Sequence, residues 1–263
     1  MAGSEKREGA LRLDCENPKR RRCPFRPGQS GTFIPSAQSV DHLANFADHQ
    51  TGESPVSINA SGTEGYAEAA QSLISQWQNI SFDELHSPVL HLLRTRPSRV
   101  LDVGAGIGTD AAALAAMGHK VVAVEPVDEF RAAGVKLHPS SRIEWLDDSL
   151  PDLAVVGAMT GKFDLAMLTA VWMHLDEEER RRAMPNVARL LCDGALLIMS
   201  LRHGPIPEGR RMVDVSPDET IQLANVHGLQ PKLVVRSESV QPVNRRMKVT
   251  WTRLVFDKGC GAS

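Results

Sequence analysis

The sequence predicts an α/β fold in which a mostly parallel sheet is flanked by helices and ends in an antiparallel C-terminal hairpin. Three observations predict it. From Arg99 onward, short apolar runs alternate with helical patterns, the order that a parallel sheet covered on both faces requires. A glycine cluster, Gly104, Gly106 and Gly108, follows the first of those runs. The last two strand-like runs are joined through Pro242, Val243 and Asn244, a link too short for a crossover and suited to a hairpin.

Taken in order, residues 1–60 are rich in Gly, Ser, Pro, Arg and Gln and show no sustained apolar period, so they read as a mobile tail. Residues 61–98 read as N-terminal cap helices. Tyr66, Ala69, Ala70, Leu73, Ile74 and Trp77 recur at helical spacing, which predicts a helix of about four turns. A second short helix is expected to start at Pro88 and to carry Val89, Leu92 and Leu93. Residues 99–257 form the expected core and 258–263 a C-terminal tail.

Within the core, strands are expected at 100–103, 121–124, 143–146, 163–169 and 195–201, then at about 232–239 and 248–256. Helices are expected from Asp110 to Met117, from Phe130, and from Leu150 to Ala158. The next opens at Asp176 with Glu179 three residues on, the pattern of a capping box; Pro185 lies inside it and Gly194 is expected to close it. Ser216, Pro217 and Glu219 read as cap, first helical residue and capping-box acid of a last helix that stops at Gly228.

Composition narrows the class. With 263 residues, 30 Lys+Arg against 32 Asp+Glu and 42% hydrophobic residues, the chain is neither a collagen, a coiled-coil rod nor a wholly disordered polyelectrolyte. No apolar run approaches the roughly 20 residues of a membrane span, so no membrane is expected as a partner. Arg20, Arg21 and Arg22 are followed by Cys23 and Pro24 instead of an apolar export segment, which points to a cytoplasmic protein. Cys15, Cys23, Cys192 and Cys260 are too scattered for a zinc site, and reduced cysteines are expected in a cytosol. The basic run Lys19–Arg22 reads as solvated tail, because no aromatic residues interleave with it.

The chemistry concentrates in Val100-Leu101-Asp102-Val103-Gly104-Ala105-Gly106-Ile107-Gly108. A strand delivers Asp102 to the sheet edge, the glycines let backbone approach a ligand, and a helix N-terminus follows. The same glycines also suit a plain strand-to-helix turn. A dinucleotide fingerprint would need a third glycine at 109, where Thr109 stands.

This stretch resembles motif I of the class I S-adenosylmethionine-dependent methyltransferases, and the resemblance extends over about residues 61–257. It implies a Rossmann-like class I sheet, S-adenosylmethionine as cofactor, and cofactor contacts from Asp102, Gly104, Ala105, Gly106 and Gly108. Glu125 and Pro126 end the second strand, where such enzymes place an acid on the ribose diol. Asp148 and Ser149 follow the third strand and resemble the element that holds the adenine amine, although Asp148 also suits a helix cap. Thr169 opens the segment Thr169–Leu175, which is similar to that of the small-molecule, quinone-biosynthesis-type branch. No Asn/Asp-Pro-Pro-aromatic element stands there, which disfavours nucleic acid as acceptor and favours a small molecule.

His174 and His203 lie just beyond strand ends and are candidate catalytic bases or hydrogen-bonded loop residues. Trp172, Arg202 and Arg211 are candidate substrate contacts; Trp172 equally suits packing, and Arg202, Arg210 and Arg211, which flank the loop 203–207, suit a carboxylate or phosphate on the substrate or equally a solvated surface. No metal is expected. Two rival functions share these features: an RNA methyltransferase using Lys19–Arg22 as an arm, and a non-catalytic cofactor-binding partner protein. The sequence leaves the acceptor and the oligomeric state open.

Overall fold

The computed structural model describes residues 60–259. The expected tail, its basic run Lys19–Arg22, and Cys15, Cys23 and Cys260 lie outside the described residues. Seven strands form one sheet in the order β3-β2-β1-β4-β5-β7-β6: β1 Arg99–Val103, β2 Lys120–Val124, β3 Ile143–Leu146, β4 Phe163–Leu168, β5 Leu191–His203, β6 Leu229–Glu238 and β7 Thr250–Lys258. β1 to β5 pair in parallel, while β7 runs antiparallel to both β5 and β6. The mostly parallel sheet with an antiparallel end is therefore the one the sequence predicts.

Period-2 alternation divides the core. Leu101, Val103, Val122 and Val124 face one layer, packed on Met184 and Val187 of α6 (Glu177–Leu190) and Ala224 of α7 (Pro217–Val226). Val100, Val121 and Ala123 face the other, packed on Ala111 and Leu114 of α3 (Thr109–Ala116) and Phe82 of α2 (Phe82–His86). A smaller cluster joins Ala70 of α1 (Ala70–Trp77) to Phe130 of α4 (Asp128–Leu137), with Tyr66 and Trp77 against it.

Several boundaries differ from expectation, each for a local reason. The first helix begins only at Ala70, with turns over the residues before it. The second opens at Phe82, not Pro88, because Ser81 Oγ accepts the Glu84 N–H as an N-cap; residues 90–92 form one 3-10 turn. α5 is short (Ala154–Ala158) and follows Leu153 in a left-handed conformation. The capping box of α6 is present, with Asp176 accepting from the Glu179 N–H and Glu179 accepting from the Asp176 N–H. Gly194 does not close that helix. Leu190 does, and Gly194 takes φ +71 inside β5, where the register with β4 shifts.

Ser216 caps α7, but Glu219 makes no capping box; it accepts instead from buried Arg180 at 2.8 Å. The link between β6 and β7 is longer than a tight turn and holds α8 (Pro242–Arg246), which brings Gln241 and Asn244 over the strand ends. No helix among the described residues is long and apolar enough to cross a membrane.

Candidate functional site

β1 lies between β2 and β4, so successive crossovers leave it in opposite directions and open a crevice at the C-terminal strand ends, the usual ligand position in such sheets. A cavity of about 570 Å³ fills that crevice, within the range of small-molecule sites.

One side of the cavity is built from the glycine turn. Asp102, Gly104, Ala105 and Gly106 line it. Gly104 has φ +68, and a Cβ there would stand 2.5 Å from Val171 Cγ2. Gly108 does not line the cavity; it caps α3 at φ +85, where a Cβ would meet the Trp145 ring at 2.8 Å. Asp102 is 1% exposed and its Oδ2 has no hydrogen-bond partner. Burial, then the nearby Asp110 and Glu125 carboxyls, pushes its pKa well above the usual carboxylate range. Such an orphaned acid suits a cationic or N–H-rich ligand.

Glu125 and Pro126 also line this side. Glu125 Oε2 accepts the Gly106 N–H at 2.8 Å and Oε1 accepts the Val127 N–H at 2.8 Å, so the carboxylate ties the glycine turn to the end of β2. Burial raises its pKa from 4.5 to about 7. Each oxygen keeps a further acceptor lone pair, so a vicinal diol still fits. Asp148 and Ser149 line the cavity beyond β3. Asp148 accepts from the Ser149 and Val156 N–H groups, both at 2.9 Å, and so caps α5 as well. Thr169 lines the cavity but turns its hydroxyl to Asp110 Oδ2 at 2.6 Å, and Asp110 is also held by His86 Nε2.

The other side of the cavity holds His174, Arg202 and residues that sequence reasoning had not assigned to a site. His174 Nδ1 lies 2.9 Å from the Arg211 carbonyl, which can only accept, so Nδ1 carries the proton. Its Nε2 therefore offers a lone pair to the Tyr66 hydroxyl at 3.2 Å. Burial pushes the His174 pKa down and that of Tyr66 up to about 12, so both are neutral at pH 7. The Arg210 guanidinium lies 3.9 Å from the Tyr66 ring centre.

Besides Gly108, three catalytic or substrate candidates fall outside the cavity lining. His203 follows Arg202 on β5; alternation turns it to the opposite face, where Nε2 meets the Thr252 hydroxyl at 2.9 Å. Arg211 bonds Asp176 at 2.9 Å and Glu179 at 3.0 Å, fastening the loop to the α6 capping box. Trp172 is 0% exposed and packs in the core beneath β4 and β5. Trp172→Phe is accordingly expected to lower the unfolding free energy by about 1–3 kcal/mol through the space it leaves, with acceptor KM unchanged. Chemical denaturation and steady-state kinetics check this, and a KM rise with unaltered stability would restore Trp172 as a substrate contact.

Tyr66, the chain's one tyrosine, was legible only as an apolar helical position. A phenol among alanines is the signal that could have marked it. Arg210 and Arg211 were legible only as a pair, since an irregular loop has no period to separate the one that lines the cavity from the one that does not. Among the described residues no cluster of His, Cys, Asp and Glu could hold a metal.

The sheet order, the glycine turn, the acid near the end of β1 and the acids that follow β2 and β3 are those of a class I S-adenosylmethionine-dependent methyltransferase. Residues 100–194 match the family described as "Methyltransferase domain", and the chain is a methyltransferase enzyme of that class. No curated protein matches the chain. Among solved structures, the fold is similar to the 1,6-didemethyltoxoflavin-N1-methyltransferase of Burkholderia thailandensis, crystallised with 1,6-didemethyltoxoflavin and S-adenosylhomocysteine (TM-score 0.58, 20% identity, 74% of this chain and 86% of that one). It is also similar to the N-methyltransferase NodS of Bradyrhizobium japonicum with S-adenosylhomocysteine (0.56, 16%, 73% and 97%). The [4+2]-cyclase SpnF shares the fold as well (0.57, 14%, 74% and 95%). The cofactor of the class is S-adenosylmethionine.

Proposed function

We propose that the protein methylates a small-molecule acceptor, in the cytoplasm, using residues 99–257 as the catalytic core under the cap of residues 61–98. The observation that carries this reading is the continuous cavity, which joins the acids at the ends of β1, β2 and β3 to a second side lined by His174, Tyr66 and Arg202. α8 and the loop carrying Arg210 stand over that second side, which suits a metabolite. The 1,6-didemethyltoxoflavin bound by the Burkholderia enzyme supports an acceptor of that size.

Bound S-adenosylmethionine supplies a methyl group on a sulfonium, open to in-line displacement by an acceptor atom. Asp102, with its unpartnered oxygen, would take the ammonium of the methionine part, and Glu125 the ribose diol. Asp148 and Ser149 would take the adenine, and Thr169 would hold Asp110 in place beside Asp102. The chain's main contribution would be alignment of the reactants, worth up to about 7–11 kcal/mol when they are well oriented.

An alcohol, phenol or ammonium acceptor must also lose a proton. Tyr66 and His174 would remove it as a relay. The Tyr66 oxygen accepts the acceptor's proton while its own passes to His174 Nε2, and the Arg211 carbonyl stabilises the imidazolium through Nδ1–H. Tyr66→Phe and His174→Gln are each expected to lower kcat about 100-fold, with unaltered S-adenosylhomocysteine affinity.

The test is incubation of the full chain with methyl-labelled cofactor and a metabolite extract, followed by size fractionation. Label in a small molecule, lost in both variants, is the expected result. Label in RNA or protein would overturn the acceptor class, and cofactor binding without any labelled product would leave a non-catalytic partner protein.

A further inference from the structure

The acceptor side of the cavity carries more positive charge than the protein itself neutralises. Arg202 on β5 is 9% exposed. Of its five N–H donors one is used, by Nη1 on the Gly204 carbonyl at 3.3 Å. Arg210 stacks on Tyr66, and its own Nη1 is buried with no hydrogen-bond partner. Neither arginine forms an ion pair among the described residues, although seven other arginine–carboxylate pairs occur there. Both line the cavity, and both act on the Tyr66 phenol, Arg210 by contact and Arg202 through its field.

The acids of the cavity do not meet this need. Asp102 stands near the end of β1, Glu125 and Asp148 follow β2 and β3, and Asp110 is held by His86 and Thr169. Glu208, on the loop beside Arg210, is exposed. A half-buried guanidinium without a counter-charge is costly and is retained where a ligand supplies the charge. A third cation, Arg253, lines the same cavity from β7, where it donates to the Ser237 hydroxyl at 2.7 Å and to the Leu85 carbonyl.

We propose that the methyl acceptor is an anion, whose carboxylate or phosphate group is seated between Arg202 and Arg210. Trp251, which pairs with Arg202 across β5 and β7, provides an apolar wall beside the charged seat, with Met173 and Met212. The acceptor is thus a small acid with an apolar body. The anion binds the guanidinium groups while its nucleophilic atom faces Tyr66. This inference rests on the methyltransferase reading of the cavity.

The test uses the full chain with and without S-adenosylhomocysteine, titrated with 4-hydroxybenzoate, 4-hydroxyphenyl phosphate and the neutral 4-hydroxybenzamide, following tryptophan fluorescence and heat. At least one anion is expected to bind about tenfold tighter than the amide, and the preference is expected to fall below about threefold in Arg202→Gln and in Arg210→Gln. Which anion binds tighter distinguishes carboxylate from phosphate. Equal or absent binding of all three probes, or a preference that survives both substitutions, would overturn the proposal. S-adenosylhomocysteine affinity in the same samples reports folding and the cofactor site. Its loss in the wild type would count against the methyltransferase reading alone, because the anion preference is read without cofactor too. Should Arg202→Gln fail to fold, Arg210→Gln on the outer loop carries the test by itself.

Discussion

Glu125→Ala is expected to weaken S-adenosylhomocysteine binding by at least about 100-fold. Two effects combine. The carboxylate accepts the Gly106 and Val127 N–H groups at 2.8 Å each, and hydrogen bonds to charged groups are worth about 1.5–3 kcal/mol apiece. Alanine would leave both donors buried without partners, release the glycine turn, and remove the acceptor for the ribose diol. Calorimetry on the folded variant checks the loss, and wild-type affinity would remove Glu125 from the cofactor site.

The same group gives binding a pH dependence. Burial raises the Glu125 pKa from 4.5 to about 7, so in the free protein it takes up a proton as pH falls through that value. A diol donates to the carboxylate, so below pH 7 binding must first expel this proton. Affinity should weaken as pH falls through 7, and Glu125→Gln should lower the slope, with the remainder belonging to Asp102, whose raised pKa means that it too must lose a proton to take the ammonium. Stability of the free chain moves the opposite way. An acid whose folded pKa is raised contributes stability that is present at pH 4.5 and lost as pH rises through 7.

Gly104→Val should reduce cofactor affinity by about 10- to 100-fold while the chain still folds, because a side chain in this left-handed conformation costs about 1–3 kcal/mol. Space adds to strain. The new Cβ would lie 2.5 Å from Val171, in the segment that leads on to His174, so the turn and that segment must part. Gly106→Ala is the internal comparison. Its Cβ would meet only the Trp77 ring at 3.6 Å, in ordinary contact, so conformational strain at φ +56 acts alone and the loss should be smaller. Binding isotherms of the two variants check the order, and equal losses would mean that contact with Val171 is immaterial.

How far the sequence revealed this can be followed element by element. β1 and β2 were legible within a residue because central strands are written as short runs dominated by Val, Leu and Ala, and β3, an edge strand, was legible from the alternation Ile-Glu-Trp-Leu. α2 was not, since five residues are too few to show a 3.6 period and its signal is one N-cap serine. Gly194 misled because positive φ serves a strand bulge as readily as a helix end.

In the site, the resemblance pointed to the acids at the ends of β1, β2 and β3, but their partners could not be read. That Glu125 holds the glycine turn, or that Asp148 caps α5, depends on loops meeting in space. His203 was separable from Arg202 in principle, because neighbours on a strand face opposite ways. The pairing of Tyr66 with His174 spans 108 residues, and nothing local marks it.

The central claim is that this crevice holds S-adenosylmethionine, and calorimetric titration of the full chain with S-adenosylhomocysteine tests it most directly. A saturable one-to-one isotherm in the wild type, abolished in Asp102→Ala and Glu125→Ala under conditions where both remain folded, is the predicted result. No binding by the folded wild type, or wild-type isotherms from both variants, would contradict it.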